Sequence, residues 1–150
     1  MKYEDFLFSA RRHKYTCEII SQQMEACPDN SQQRIRLLSN FYYLSGYILE
    51  CSLKYLILEF YGHPAAEEVN NSSCEALGFN KRNKFLIHDL SELQNKLEVK
   101  FTDFTSRSEN EIINHLIDGW GPNYRYENIQ RSQQDVTLFF NHAVIFTSKI

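Results

Sequence analysis

The chain has little glycine and little proline, five and three residues in 150. That scarcity excludes a turn-rich β sandwich, whose short strands need a punctuating residue at each hairpin. Long apolar runs are absent. The apolar stretches are short pieces such as Ile48-Leu49 and Leu56-Ile57-Leu58, far below the ~20 residues of a bilayer span. A charge excess is missing too. Sixteen basic and nineteen acidic residues leave a net charge of −3, so any nucleic-acid site must be a local patch. No two of the four cysteines, Cys17, Cys27, Cys51 and Cys74, form a C-x-x-C pair, which removes the zinc-knuckle and thioredoxin motifs. The opening Met1-Lys2-Tyr3-Glu4-Asp5 lacks the apolar stretch of a secretory leader. The expectation is a cytoplasmic, membrane-free protein with reduced thiols.

Common catalytic signatures are also missing. There is no H-E-x-x-H, G-x-S-x-G, Walker loop or G-x-G-x-x-G. A di-iron helical bundle needs Glu three residues before His. Here those positions hold Ala10, Phe60, Phe85, Ile112 and Phe139. Glu59/His63 and Glu111/His115 stand four apart and read as ordinary helix pairs. No metal and no cofactor is expected.

What the chain does have is helical periodicity and aromatic residues, with 11 Phe, 9 Tyr and 1 Trp. Phe6, Ala10, His13, Cys17, Ile20 and Met24 recur at spacings of four and three, which predicts a helix over about 3–25. Pro28-Asp29-Asn30 breaks it. The next helix covers about 31–61, with Leu38, Tyr42, Ser45, Leu49, Ser52 and Leu56 in one stripe. Ser45 and Gly46 in this helix would let another helix approach closely. The pattern lapses over 62–84, apart from a short helix expected at 65–69. Leu90, Leu93 and Leu97 mark a short helix. Two more come at about 109–118 and 128–149, the last with Val136, Phe139, Ala143 and Phe146 on its core side. The expected architecture is one all-α domain over 1–150, an up-and-down bundle of four principal helices plus short ones. Cys17 and Cys51, on apolar stripes, read as core residues, and His13 and His142 as core or interface residues.

Three pieces stand out for chemistry. Gly46, Glu50 and Lys54 succeed one another at intervals of four, so a small residue, an acid and a base share one helix face. By itself this pair reads as a surface ion pair. His88-Asp89-Leu90-x-x-Leu93 opens the next helix, and Arg125-Tyr126 comes after Trp120 shortly before the last.

In that order, G-x-x-x-E-x-x-L-K, H-D-L-x-x-L and R-Y resemble the HEPN family (higher eukaryotes and prokaryotes nucleotide-binding domain) over about 42–126. The resemblance implies a helical bundle, frequent homodimers, and work in toxin–antitoxin pairs, phage defence or alongside a nucleotidyltransferase. Many members are metal-independent endoribonucleases in which four to six residues separate an Arg from a His, often with Asn, Asp or His directly after the Arg. Arg82-Asn83-Lys84-Phe85-Leu86-Ile87-His88 fits that form. In this reading His88 moves a proton at a ribose hydroxyl or leaving oxygen. Arg82 clamps the phosphate, and Asn83 lies beside it. Lys81, Arg82 and Lys84 add a local basic patch.

Residues six apart on one helix face different ways, so Arg82 must lie in a loop or turn to meet His88. His88 has two other readings, a structural residue bonded to a neighbour and a binding residue. Arg125 and Tyr126 either line a cleft, Tyr126 stacking on a nucleotide, or pair with Glu50 and pack beside Trp120. Two functions are open. One is an RNA-cleaving enzyme using His88 and Arg82. The other is a non-catalytic module binding a nucleotide, RNA or a protein partner around Glu50, Lys54, His88, Arg125 and Tyr126. The aromatics Phe41, Tyr43 and Tyr47 suggest a homodimer surface.

Overall fold

Five of the six α-helices begin where the sequence supplies a side-chain oxygen to cap them. In the computed structural model, which describes all 150 residues, six α-helices and one 3₁₀ turn account for all the regular structure. Helix α1 spans Glu4–Glu25 and buries Phe6, Ala10, Cys17 and Met24. Asn30, at φ +58°, reverses the chain. The Ser31 hydroxyl then accepts from the Arg34 N–H and starts α2, Gln32–Phe60. Gly62, at φ +74°, carries the chain away from the end of α2.

Helix α2 is the spine. Helices α1, α4 and α6 and the 3₁₀ turn all pack on it, so its middle is buried on every side, including Ile48, Leu49, Leu53, Ile57 and Leu58. Tyr3 meets Glu59, and Cys17 meets Phe41, so α1 runs antiparallel to α2. Helix α6, Gln133–Thr147, meets α2 in ascending order: Gln133 at Arg34, Phe140 at Phe41, Thr147 at Ser52. It therefore runs parallel to α2. One core of 31 buried residues joins every helix. No helix is long and apolar enough to cross a membrane.

Two short helices set the site. Helix α4, Leu90–Glu98, is capped by Asp89, whose carboxylate accepts from the Glu92 N–H at 2.8 Å. Leu90, Leu93 and Leu97 face the core as predicted. His88 reaches Glu50, and Tyr61 reaches the Lys96 carbonyl, so α4 also runs parallel to α2. The chain must therefore return from the end of α2 to its middle, about 15 Å. That return is the irregular stretch over 61–89. Helix α5, Glu111–Gly119, runs back along α4 (Ser91 bonds Asp118) and delivers Trp120 to α2.

The structure corrects some boundaries. The expected helix at 65–69 is absent, and α3 forms instead at Asn71–Ala76. There Asn70 and Ser73 cap each other's N–H groups, whereas most of 65–69 lies exposed. The last helix begins at Gln133 rather than near 128, because Ser132 caps it. Before it, Ile129 is buried in irregular chain, its N–H donating to the Ser39 hydroxyl. Of the four principal helices expected, three are long. The fourth, α5, has only nine residues, the same as α4.

Candidate functional site

The site is built around one buried carboxylate at the middle of α2. Lys54 Nζ lies 2.7 Å from Glu50 Oε1, and both side chains are almost wholly buried, at 5% and 3% exposure. The expectation of a surface ion pair is therefore wrong. Helix α1 brings the Phe6 ring to 5.8 Å from Nζ, and the chain before α4 covers the carboxylate. A pair this deep has left bulk water, and each charge depends on the other.

His88 supplies the second donor to Glu50, with Nδ1 2.9 Å from Oε2. Asp89 caps α4, so the neighbouring His88 is fixed at the helix entrance. The carboxylate accepts, so Nδ1 carries the proton. In the neutral ring Nε2 then keeps its lone pair. The side chain is 49% exposed, and no hydrogen bond within the chain engages Nε2. His88 is thus tied at one nitrogen and open at the other.

An aromatic row extends the site along α2. Tyr47 lies edge-on to His88 at 6.1 Å, beside His13 at 5.5 Å, against Trp120 at 5.0 Å and against Tyr43 at 4.9 Å. Burial and the Tyr43 hydroxyl raise the Tyr47 phenol well above its ordinary pKa, so it remains protonated. Burial, reinforced by the Arg12 charge, lowers the His13 pKa, and Glu50 partly offsets this. Tyr43 receives Arg125, whose Nε donates to its hydroxyl at 2.9 Å. The guanidinium also lies over the rings of Tyr43 and Tyr126, at 5.8 and 5.9 Å.

The alternative for Arg125, pairing with Glu50, does not occur. Tyr43 takes its Nε, and His88 and Lys54 occupy the carboxylate. Nor does Tyr126 pack beside Trp120, because the 3₁₀ turn Pro122–Arg125 leaves it 82% exposed. Gly46 meets the Trp120 indole rather than another helix.

Arg82 and Asn83 stand elsewhere. The Arg82 N–H donates to Asn80 Oδ1 at 2.9 Å, and its side chain lines a shallow cleft with Glu75, Asn80 and Lys81. No hydrogen bond joins Arg82 to His88 within the chain. Asn83 Oδ1 accepts from Lys96 at 2.7 Å, which ties this loop to α4. Lys81, Arg82 and Lys84 are exposed, as a basic patch requires. Phe41 belongs to no surface. It is fully buried against Phe140, so it supports no dimer contact.

Sequence reasoning left Tyr43 and Tyr47 out of the site, although their spacing announces it. Tyr43, Tyr47, Glu50 and Lys54 succeed one another at intervals of four, three and four on one face of α2. Chemically the cluster offers one oriented imidazole, one exposed guanidinium and exposed aromatic area. Those groups suit an anionic, planar ligand. No three His, Cys, Asp or Glu side chains converge as a metal site would need. Comparison of the chain with protein-family models, with curated proteins and with solved structures finds no match.

Proposed function

We propose that this chain is a HEPN-like helical domain that binds RNA or nucleotide phosphate on the face of α2 formed by His88, Tyr47, Tyr43 and Arg125. Work in a defence or toxin–antitoxin setting, beside a protein partner or a second copy, belongs to the same reading. The observation that carries it is the state of His88. Its Nδ1 is held by a buried carboxylate, its ring is half exposed, and an exposed Arg125 stands one aromatic pair away. Supporting it, motif residues from three separate stretches (Gly46, Glu50 and Lys54 on α2, then His88, then Arg125) are joined through Tyr43, Tyr47 and Trp120. The Arg125 guanidinium takes a phosphate, the His88 Nε2 lone pair accepts from a ribose hydroxyl, and Tyr126 offers a face for a base.

A second reading, metal-independent RNA cleavage, is favoured by the same imidazole. The ribose 2′-oxygen attacks the adjacent phosphorus, its proton passes to His88 Nε2, and the 5′-oxygen leaves with a proton from solvent. Arg82 stands apart from His88 within the chain, so this reading needs a second copy to bring it to the phosphate.

The test is RNA binding and cleavage in EDTA by wild type, His88→Ala and Arg125→Ala of matched helicity. Binding that both variants weaken by about tenfold or more, without cleavage, supports the binding module. Cleavage lost in His88→Ala supports the enzyme. No binding of RNA or nucleotides by wild type sinks both readings and leaves the protein-partner module.

A further inference from the structure

We infer that Gly46 and Trp120 are positioning residues, a notch in α2 and an indole seated in it, that place Arg125 on the binding face; the inference deepens the phosphate-binding reading and rests on it. A glycine in the middle of a 29-residue helix works against helix propensity, so its place needs a reason. Trp120 supplies one. A Cβ at residue 46 would fall inside the indole ring, against Nε1, Cε2 and Cδ1. Trp120 itself is only 5% exposed, and its Nε1 donates to the Tyr43 carbonyl at 3.1 Å. Shape and hydrogen bond together set the ring on one turn of α2.

That seat governs the next segment of the chain. Trp120 ends α5 in an extended conformation, and the 3₁₀ turn Pro122–Arg125 begins two residues later. The turn is held by its own backbone bonds, Tyr124 N–H to the Gly121 carbonyl and Tyr126 N–H to the Asn123 carbonyl. Its Pro122 has little freedom. Tyr124 pins the inner side against Tyr42 at 4.9 Å. The indole controls the outer side, where Arg125 meets Tyr43. Tyr43 therefore serves twice, its carbonyl holding Trp120 and its hydroxyl holding Arg125. Tyr47 then joins the indole to His88, with ring contacts of 5.0 and 6.1 Å. The wedge touches both halves of the face without being exposed to a ligand.

The experiment monitors two side-chain NMR signals, the Trp120 indole Nε1–H and the Arg125 Nε–H, and the affinity for a short single-stranded RNA oligonucleotide. Trp120 is the only tryptophan, so its emission reports the seat directly. In Gly46→Ala the indole N–H should exchange rapidly, the emission should shift to the red, and the Arg125 signal should vanish. RNA affinity should fall by about tenfold or more. Removing the wedge should reverse the sign of the effect on stability. In a Trp120→Ala background, Gly46→Ala should raise Tm rather than lower it. If Gly46→Ala does not fold, Trp120→Leu, which adds no atom to the notch, should lose the same Arg125 signal and affinity. The inference is overturned if Gly46→Ala keeps both signals, or if it frees the indole while RNA affinity stays at the wild-type value. If wild type binds no RNA, the phosphate-binding reading fails. The positioning claim is then decided by the Arg125 signal alone, whose persistence in Gly46→Ala refutes it.

Discussion

Glu50 is the residue on which the site turns, because it satisfies two donors at once. Lys54 sits beside it with almost no exposure and no other hydrogen-bond acceptor. Glu50→Gln leaves that ammonium buried without a counter-charge, and stability should fall by roughly 3–5 kcal/mol. Urea unfolding measures this; a loss below about 1 kcal/mol would mean that the pair is effectively solvated. His88→Ala removes a half-exposed ring, and water can replace its bond to Glu50, so the cost should be about 1 kcal/mol. That contrast lets His88 be tested for function without losing the fold.

His13 gives a pH signature at the same scale. Its folded pKa lies below the ordinary 6.5, mainly through burial and then through Arg12. As pH falls through 6.5 the unfolded chain takes the proton first, so this contribution to stability is full above that pH and is lost below it. His13→Phe keeps a ring on Tyr47 and removes the proton. The variant should lose less stability than wild type between pH 7.5 and 5.5, by urea midpoints at both. An equal loss would show that His13 titrates normally.

The elements were legible where a cap and an apolar stripe coincide. Helices α1 and α2 fall within a residue or two of their expected limits, because Ser31 caps one and Pro28-Asp29-Asn30 ends the other. The short helix after residue 62 was misplaced because propensity favoured the alanines at 65 and 66, while capping favoured Asn70 and Ser73. Capping decides when a helix has only six residues. The same principle makes α4 testable. Asp89→Ala removes the acceptor for the Glu92 N–H and should cost about 1 kcal/mol. Amide exchange at Glu92 should quicken most, and His88 should loosen from Glu50 with it. Unchanged exchange at Glu92 would show that the cap does not hold the helix start.

At the scale of the whole molecule, the parallel course of α4 along α2 was not legible. Periodicity shows which face of a helix is apolar but not its direction, and only the pairing of His88 with Glu50 and Tyr61 with Lys96 reveals it. The candidate site was half legible for the same reason. Glu50, Lys54, His88 and Arg125 were found by motif, but not that Tyr43 and Tyr47 join them. The depth of α2 was underread as well, since Glu50 and Lys54 were placed on the surface. One core also has a consequence for the thiols. All four cysteines are buried, and burial raises Cys17 and Cys51 to about 12. A thiol reagent should label these two no faster than the chain unfolds, as labelling rates with and without urea will show. Rapid labelling in the native state would mean that α1 separates from α2 far more readily than their packing implies.

Whether Glu50 holds His88 with the Nε2 lone pair free for a ribose hydroxyl can be read from ¹⁵N NMR of the His88 ring, with and without single-stranded RNA. The expected result is the Nδ1–H tautomer in the neutral ring, and an Nε2 resonance that shifts strongly as RNA is added. A ring protonated at Nε2, or an Nε2 resonance that RNA leaves in place, would contradict this picture of the site.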